Sequence, residues 1–146
     1  MRLNLLSTRL YKILQKNPNL YVYLPLCIYW IFLFYLTTIP LDAVPQIFSS
    51  QDKIEHLIAY LILSFLLTLS LHFQKKSNKI SKNYLMFTII LLILYATIDE
   101  LHQIFVPGRF CDLYDWSADI IGGFTGIFLS NSFIKMNENK SEIQET

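Results

Sequence analysis

Apolar and polar positions alternate along this chain in long blocks. Residues 20–39 carry no charge, and residues 54–73 carry charge only at their start, at Glu55, with His56 beside it. A third apolar block begins at Tyr84 and runs to Ile98, and a fourth covers residues 113–133 with its acids confined to the first third. A helix needs about 20 mostly apolar residues to cross about 30 Å of hydrocarbon. The third block falls short of that length unless it continues through Asp99 to about Gln103. The four blocks are therefore expected to be membrane-spanning helices, joined through residues 40–52, 74–83 and 105–112. A cleavable leader is the competing reading of the start, but the first block is too long and Thr37-Thr38-Ile39-Pro40 is no small-residue cleavage site. Pro25 falls in the first turns of that span, where proline is tolerated. The expected fold is all-α: a polytopic membrane protein forming a four-transmembrane-helix bundle. A basic segment (1–19) precedes the membrane domain (20–133), and a short tail (134–146) follows it.

Composition sharpens the class. The 146 residues are 53% hydrophobic and only 16% charged, with a mean hydropathy of +0.40. A soluble domain is nearer half apolar and a quarter charged. Aromatics at 15% exclude a disordered chain, two cysteines exclude a disulfide scaffold, and a net charge of +1 excludes a strongly basic nucleic-acid binder. The distribution of charge says more than its sum. Arg2, Arg9, Lys12 and Lys16 precede the first span, Lys75, Lys76, Lys79 and Lys82 separate the second and third, and Lys135 and Lys140 follow the fourth. Only Lys53 and Arg109 remain for the other side, so both termini are expected in the cytoplasm. The acids do the reverse. Asp42, Asp52, Glu55, Asp99, Glu100, Asp112, Asp115 and Asp119 all map to the outer end.

Those acids sit among other polar groups at fixed spacings. Asp52, His56 and Tyr60 are four apart and form one helix stripe, flanked by Lys53 and Glu55. Asp99, His102 and Gln103 share a side of the third span, with Glu100 one step around. Asp115 and Asp119 share a side of the fourth, and Asp119 lies roughly 9 Å into it at 1.5 Å per residue. Ionisable groups inside a span are costly unless they face the bundle interior, a watery cavity or each other, and they mark a functional site by default. Plainer readings stand beside that one. His56 can be a satisfied buried histidine, Asp99 and Glu100 hydrated interfacial acids, and Asp52 and Asp115 helix caps. Eight acids opposed by two bases suit a cation, a cationic substrate group or shared protons better than a self-satisfied network.

Pro107-Gly108-Arg109 reads as a type II turn that aims Arg109 back at Asp99, Glu100 and Asp115. Gly122 and Gly126 have the spacing of a close helix-packing face, expected against the second or third span. No phosphate-cradling loop, nucleophile elbow or zinc helix motif is present. His56, Asp99, Glu100 and His102 could bind zinc by type, but their spacing is not diagnostic, and no metal or cofactor is predicted. Cys27, within a span, and Cys111, in an outer loop, are expected to stay unbridged.

The ordered set Asp52-Lys53-x-x-His56-x-x-x-Tyr60, Asp99-Glu100-x-x-Gln103, Pro107-Gly108-Arg109 and Asp115-x-x-x-Asp119-x-x-Gly122 resembles the VanZ-like family. Residues 30–40 also fit that family's first helix, and the resemblance extends over residues 30–126. One departure is Asp119, where many members carry Asn, which sets aside an amide-specific role there. The resemblance implies a multi-pass protein of the bacterial cytoplasmic membrane, in a family named after a member associated with resistance to the glycopeptide teicoplanin. It implies no reaction, cofactor or substrate.

The function expected first is binding or modification of an extracytoplasmic target, a lipid or a lipid-linked wall precursor. His56 would be its acid/base or hydrogen-bonding group, since its ordinary pKa lets it act either way. Asp52 or Asp99 would orient it, Glu100 and Gln103 would contact substrate, and Arg109 would hold an anionic group bidentately. Lys53, Tyr60, Asp115 and Asp119 complete the candidate binding set. The bilayer and an anionic envelope substrate are the expected partners, with no nucleic acid. A non-enzymatic accessory module is the alternative. A proton- or cation-linked transporter is the third reading. Against it, no chain of ionisable groups in spans one to three reaches the cytoplasmic side, and four spans offer little for alternating access.

Overall fold

The computed structural model describes residues 2–40, 47, 48 and 50–145, so Asp42 lies outside the described residues. Helix α1 (Arg2–Lys16) is followed by a wide π-turn (Asn19–Tyr23) that runs directly into α2 (Leu24–Thr37). Then come α3 (Gln51–Phe73), the single-turn α4 (Asn78–Lys82), α5 (Tyr84–Gln103) and α6 (Leu113–Glu145). No strand occurs among the described residues. Three helices are long and apolar enough to cross a membrane: Asn19–Thr37, Gln51–Phe73 and Tyr84–Gln103. The third ends at Gln103, as the length of a span requires. The fourth expected span lies inside α6, whose first turns carry Asp115 and Asp119, and it is not among those three.

The helices bury polar groups and expose apolar ones. Ile28, Ile31 and Tyr35 on α2 and Leu94, Ile98 and Leu101 on α5 point outward, whereas Ser64, Thr68, Thr88 and Ser130 are fully buried. A water-soluble bundle does the opposite; this pattern suits a protein whose solvent is lipid, where small and polar residues join helices.

The tightest packing is between α3 and α6. A Cβ on Gly122 would fall on the Leu57 carbonyl oxygen, and one on Gly126 would fall on that of Leu61. The glycine face thus packs on α3, while Gly123 meets the Leu92 side chain of α5. Leu26, Leu33, Tyr60, Leu63, Leu67 and Leu92 form the core beside this contact.

Two elements differ from the sequence reading. The basic segment before the first span is helical, and α1 folds back onto the far end of the bundle. There Tyr11 and Leu14 join Val22, Leu69, Phe73 and Ile134 in a second core, and the Tyr11 hydroxyl is hydrogen-bonded to His72 Nε2 at 3.1 Å. Burial, with Glu138 nearby, pushes that hydroxyl's pKa up to about 12. The expected tail is also helical, because α6 continues past residue 133 to Glu145 without a break.

The turn between α5 and α6 forms as expected. Gly108 has φ 76°, and Arg109 N–H donates to the Val106 carbonyl at 3.1 Å. Asp112 then starts α6. Its Oδ1 accepts from Tyr114 N–H at 2.8 Å, and its carbonyl accepts from Asp115 and Trp116 N–H. The cap is therefore Asp112, and Asp115 lies within the first turn of the helix.

Candidate functional site

The first turns of α3, the last turn of α5 and the first turns of α6 meet at one end of the bundle. On α3, the spacing of four turns Asp52, His56 and Tyr60 inward, and the same stripe continues through Ser64, Thr68 and His72. On α5, Asp99, Glu100 and Gln103 are all buried. On α6, Asp115 and Asp119 lie on the buried side, and Asp119 is fully enclosed. The glycine contact lower on α6 brings that helix close enough to α3 for these side chains to touch.

His56 is central. Its Nδ1 donates to Asp119 Oδ1 at 2.9 Å, with Glu100 Oε1 at 4.0 Å from the same nitrogen and Asp52 Oδ1 at 3.9 Å from Nε2. The residue that holds the ring is thus Asp119, where the sequence put Asp52 or Asp99. Asp99 is occupied elsewhere: the Tyr60 hydroxyl donates to its Oδ2 at 3.0 Å. Glu100 is fixed from two sides, by Asp112 N–H on Oε2 at 2.9 Å and by Gln103 Nε2 near Oε1 at 3.5 Å. Gln103 is itself only 2% exposed, so its amide serves Glu100.

The two basic side chains meet three of the acids between them. Lys53 Nζ donates to Asp115 Oδ1 at 2.8 Å and to Asp112 Oδ2 at 3.0 Å. The Tyr114 N–H and the Lys53 ammonium together hold the Asp112 carboxyl below its ordinary pKa. Arg109 turns away from the partners expected for it. Its Nε donates to the Ile39 carbonyl at 3.0 Å, just past the end of α2, and its Nη1 lies 3.9 Å from Asp52 Oδ1. Arg109 forms no ion pair with Asp99, Glu100 or Asp115 among the described residues. His102 also leaves the group, stacking on Phe34 with ring centroids 5.3 Å apart.

A cavity of about 80 Å³ lies against this cluster. Leu33, Leu36 and Thr37 of α2 form one wall, and Asp52, Glu55, His56, Ala59 and Tyr60 of α3 form another, with Asp99 and Arg109 at its edges. It has room for a few waters or a headgroup-sized fragment. Thr37 is the lining residue that no spacing or charge signal in the sequence indicated. Two triads could hold a cation by type and distance: Asp52, His56 and Asp115, and the fully buried His56, Glu100 and Asp119. Both cysteines are free and exposed.

No curated protein and no solved structure matches the chain. The model of the VanZ/LLP1 family does, over residues 26–134, a stretch that takes in most of α2, all of α3 and α5, and the whole polar cluster. This membrane protein belongs to the VanZ/LLP1 family.

Proposed function

We propose that the chain crosses the bacterial cytoplasmic membrane four times, with both termini inside. In this reading it binds the anionic headgroup of an extracytoplasmic lipid or lipid-linked wall precursor. The observation that carries the reading is the cavity, which is bounded at once by the apolar wall of α2 and by His56, Tyr60 and Arg109, with Asp52, Glu55 and Asp99 also on its lining. An acyl-linked anion needs both surfaces: a greasy wall for the chain and donors for the headgroup. Arg109 is the anchor, because its guanidinium keeps free donors after the bond to Ile39 and can meet a phosphate in a fork. His56 and Tyr60 lie deeper in, with the Tyr60 hydroxyl committed to Asp99 and His56 Nδ1 to Asp119. The basic residues of α1, the α3–α5 connection and the end of α6 favour the side opposite the cavity as cytoplasmic.

The internal pairing of Lys53 with Asp112 and Asp115, and of Tyr60 with Asp99, favours a second reading, in which the cluster only braces the bundle for a docking partner. Native mass spectrometry of the detergent-purified chain separates the two. Phosphatidylglycerol should be retained in preference to phosphatidylcholine. Arg109→Lys should stay folded and lose about tenfold of that preference, equivalent to about 1.4 kcal/mol. Equal retention of both lipids by the wild-type chain would leave only the bracing role.

A further inference from the structure

We infer that His56, Glu100 and Asp119 form a binding site for one divalent transition-metal cation of the Zn²⁺ or Mn²⁺ class. The distances fit one ion. Carboxylate oxygen and imidazole nitrogen ligands sit about 2.0–2.2 Å from such a cation, so any two of them lie within about 4.4 Å of each other. Here Asp119 Oδ1 and Glu100 Oε1 are 2.9 and 4.0 Å from His56 Nδ1, and the three ligand atoms all lie within 4.8 Å of one another. One imidazole and two carboxylates are also a donor set such cations accept, and three protein ligands leave a position open for a water or a phosphate oxygen.

Charge points the same way. Lys53 is taken by Asp112 and Asp115, and Arg109 lies nearest Asp52. Asp99, Glu100 and Asp119 are each at most 4% exposed, and among the described residues no lysine or arginine forms an ion pair with any of them. One imidazole cannot balance three ionised carboxylates in a buried site, so bound protons or a bound cation must supply the missing positive charge. A separate observation is Asp119 Oδ2, which is buried with no hydrogen-bond partner among the described residues. It shares its carboxylate with the oxygen that meets His56, so a ligand beside that ring would satisfy it.

The outer shell is in place as well. Asp112 N–H and Gln103 hold Glu100, and Asp52 faces the far ring nitrogen of His56 at 3.9 Å, where a carboxylate can fix the ring of a ligating histidine. With the cation seated, His56 is a ligand and no longer a free acid/base, and the metal presents a positive centre to an anionic group in the cavity. The inference does not depend on lipid binding, because the ion is held by the lipid-free chain.

The test uses the purified full-length chain, stripped with chelator and then titrated with Zn²⁺ and with Mn²⁺ in the absence of lipid. Metal content per chain and the shift in thermal unfolding temperature are read together. One of the two ions should be taken up at one per chain and should raise the unfolding temperature. Glu100→Gln and Asp119→Asn should each abolish both effects while keeping the helical circular-dichroism signal. If either variant does not fold, Asp52→Asn, at the half-exposed edge of the site, serves instead and should weaken uptake by about 10–100-fold. Wild-type protein that takes up neither ion, or Glu100→Gln and Asp52→Asn proteins that take up metal as well as wild type does, would overturn the inference. Those results leave the lipid preference measured above untouched, so the two proposals fail separately.

Discussion

Lys53 shows how much one side chain carries in this cluster. It is the ammonium that Asp115 meets, and the Asp115 side chain is only 6% exposed while that of Lys53 is 41% exposed. Removing one partner of a fully buried pair costs about 3–5 kcal/mol, whereas a fully exposed pair is worth about 0–1 kcal/mol. Lys53→Met is therefore expected to lower unfolding free energy by about 1–3 kcal/mol in a denaturant titration in detergent, between those ranges. Lys53→Arg should recover most of that loss. A stability equal to wild type for Lys53→Met would mean that Asp115 is already neutralised without it. Which residues belong to the cluster was legible from the sequence, because spacings of three and four put Asp52, His56, Tyr60, Asp99, Glu100, Asp115 and Asp119 on inward faces at a common depth. Their pairing was not legible. Whether Asp119 or Asp52 meets the His56 ring depends on the rotation of α6 against α3, which a difference of a few ångströms decides. That Arg109 reaches Ile39 depends on where α2 ends relative to the Gly108 turn, a contact between residues 70 apart in the chain.

At the scale of elements, the close approach of α6 to α3 sets the geometry of everything above it. The small-residue spacing of Gly122 and Gly126 was readable as a packing face, and the structure assigns it to α3. Backbone atoms stand where their side chains would go, so substitution must move a helix. Overpacking of this kind costs typically about 1–3 kcal/mol and more when only backbone can yield. Gly122→Ala and Gly126→Ala are expected to reach or exceed the top of that range, with loss of folded yield by size-exclusion chromatography. Gly123→Ala meets only the Leu92 side chain and should be milder. Equal yields for all three would show that α3 and α6 are not held this tightly. The helical state of α1 was not legible, because a basic segment with scattered leucines reads equally as a solvated leader. It becomes a helix by docking Tyr11 and Leu14 on Phe73 and Ile134, contacts that no local spacing announces.

For the whole molecule, the apolar blocks and the separation of basic from acidic residues were legible at once, since span length and the placement of lysine and arginine are properties of the chain alone. The polarity of α6 keeps it out of the three helices that are long and apolar enough to cross a membrane. The proposed topology places the cavity outside and the α3–α5 connection inside. In intact cells a membrane-impermeant thiol reagent should label the exposed Cys111. A cysteine introduced at Lys79 should react only in inverted vesicles, and external labelling there would reverse the topology. The most direct test of the central claim, a polar cleft open to the extracytoplasmic face, is the accessibility of the cavity wall. Thr37 lines the cavity, where its hydroxyl donates to the Phe34 carbonyl at 3.0 Å and lies beside the Asp99 carboxyl. A Thr37→Cys variant, with Cys27 and Cys111 both changed to serine, should be labelled in intact cells by an impermeant thiol reagent. Prior addition of a short-chain anionic phospholipid should slow that labelling. Labelling of Thr37→Cys only in inverted vesicles, or at a rate indifferent to the lipid, would contradict it.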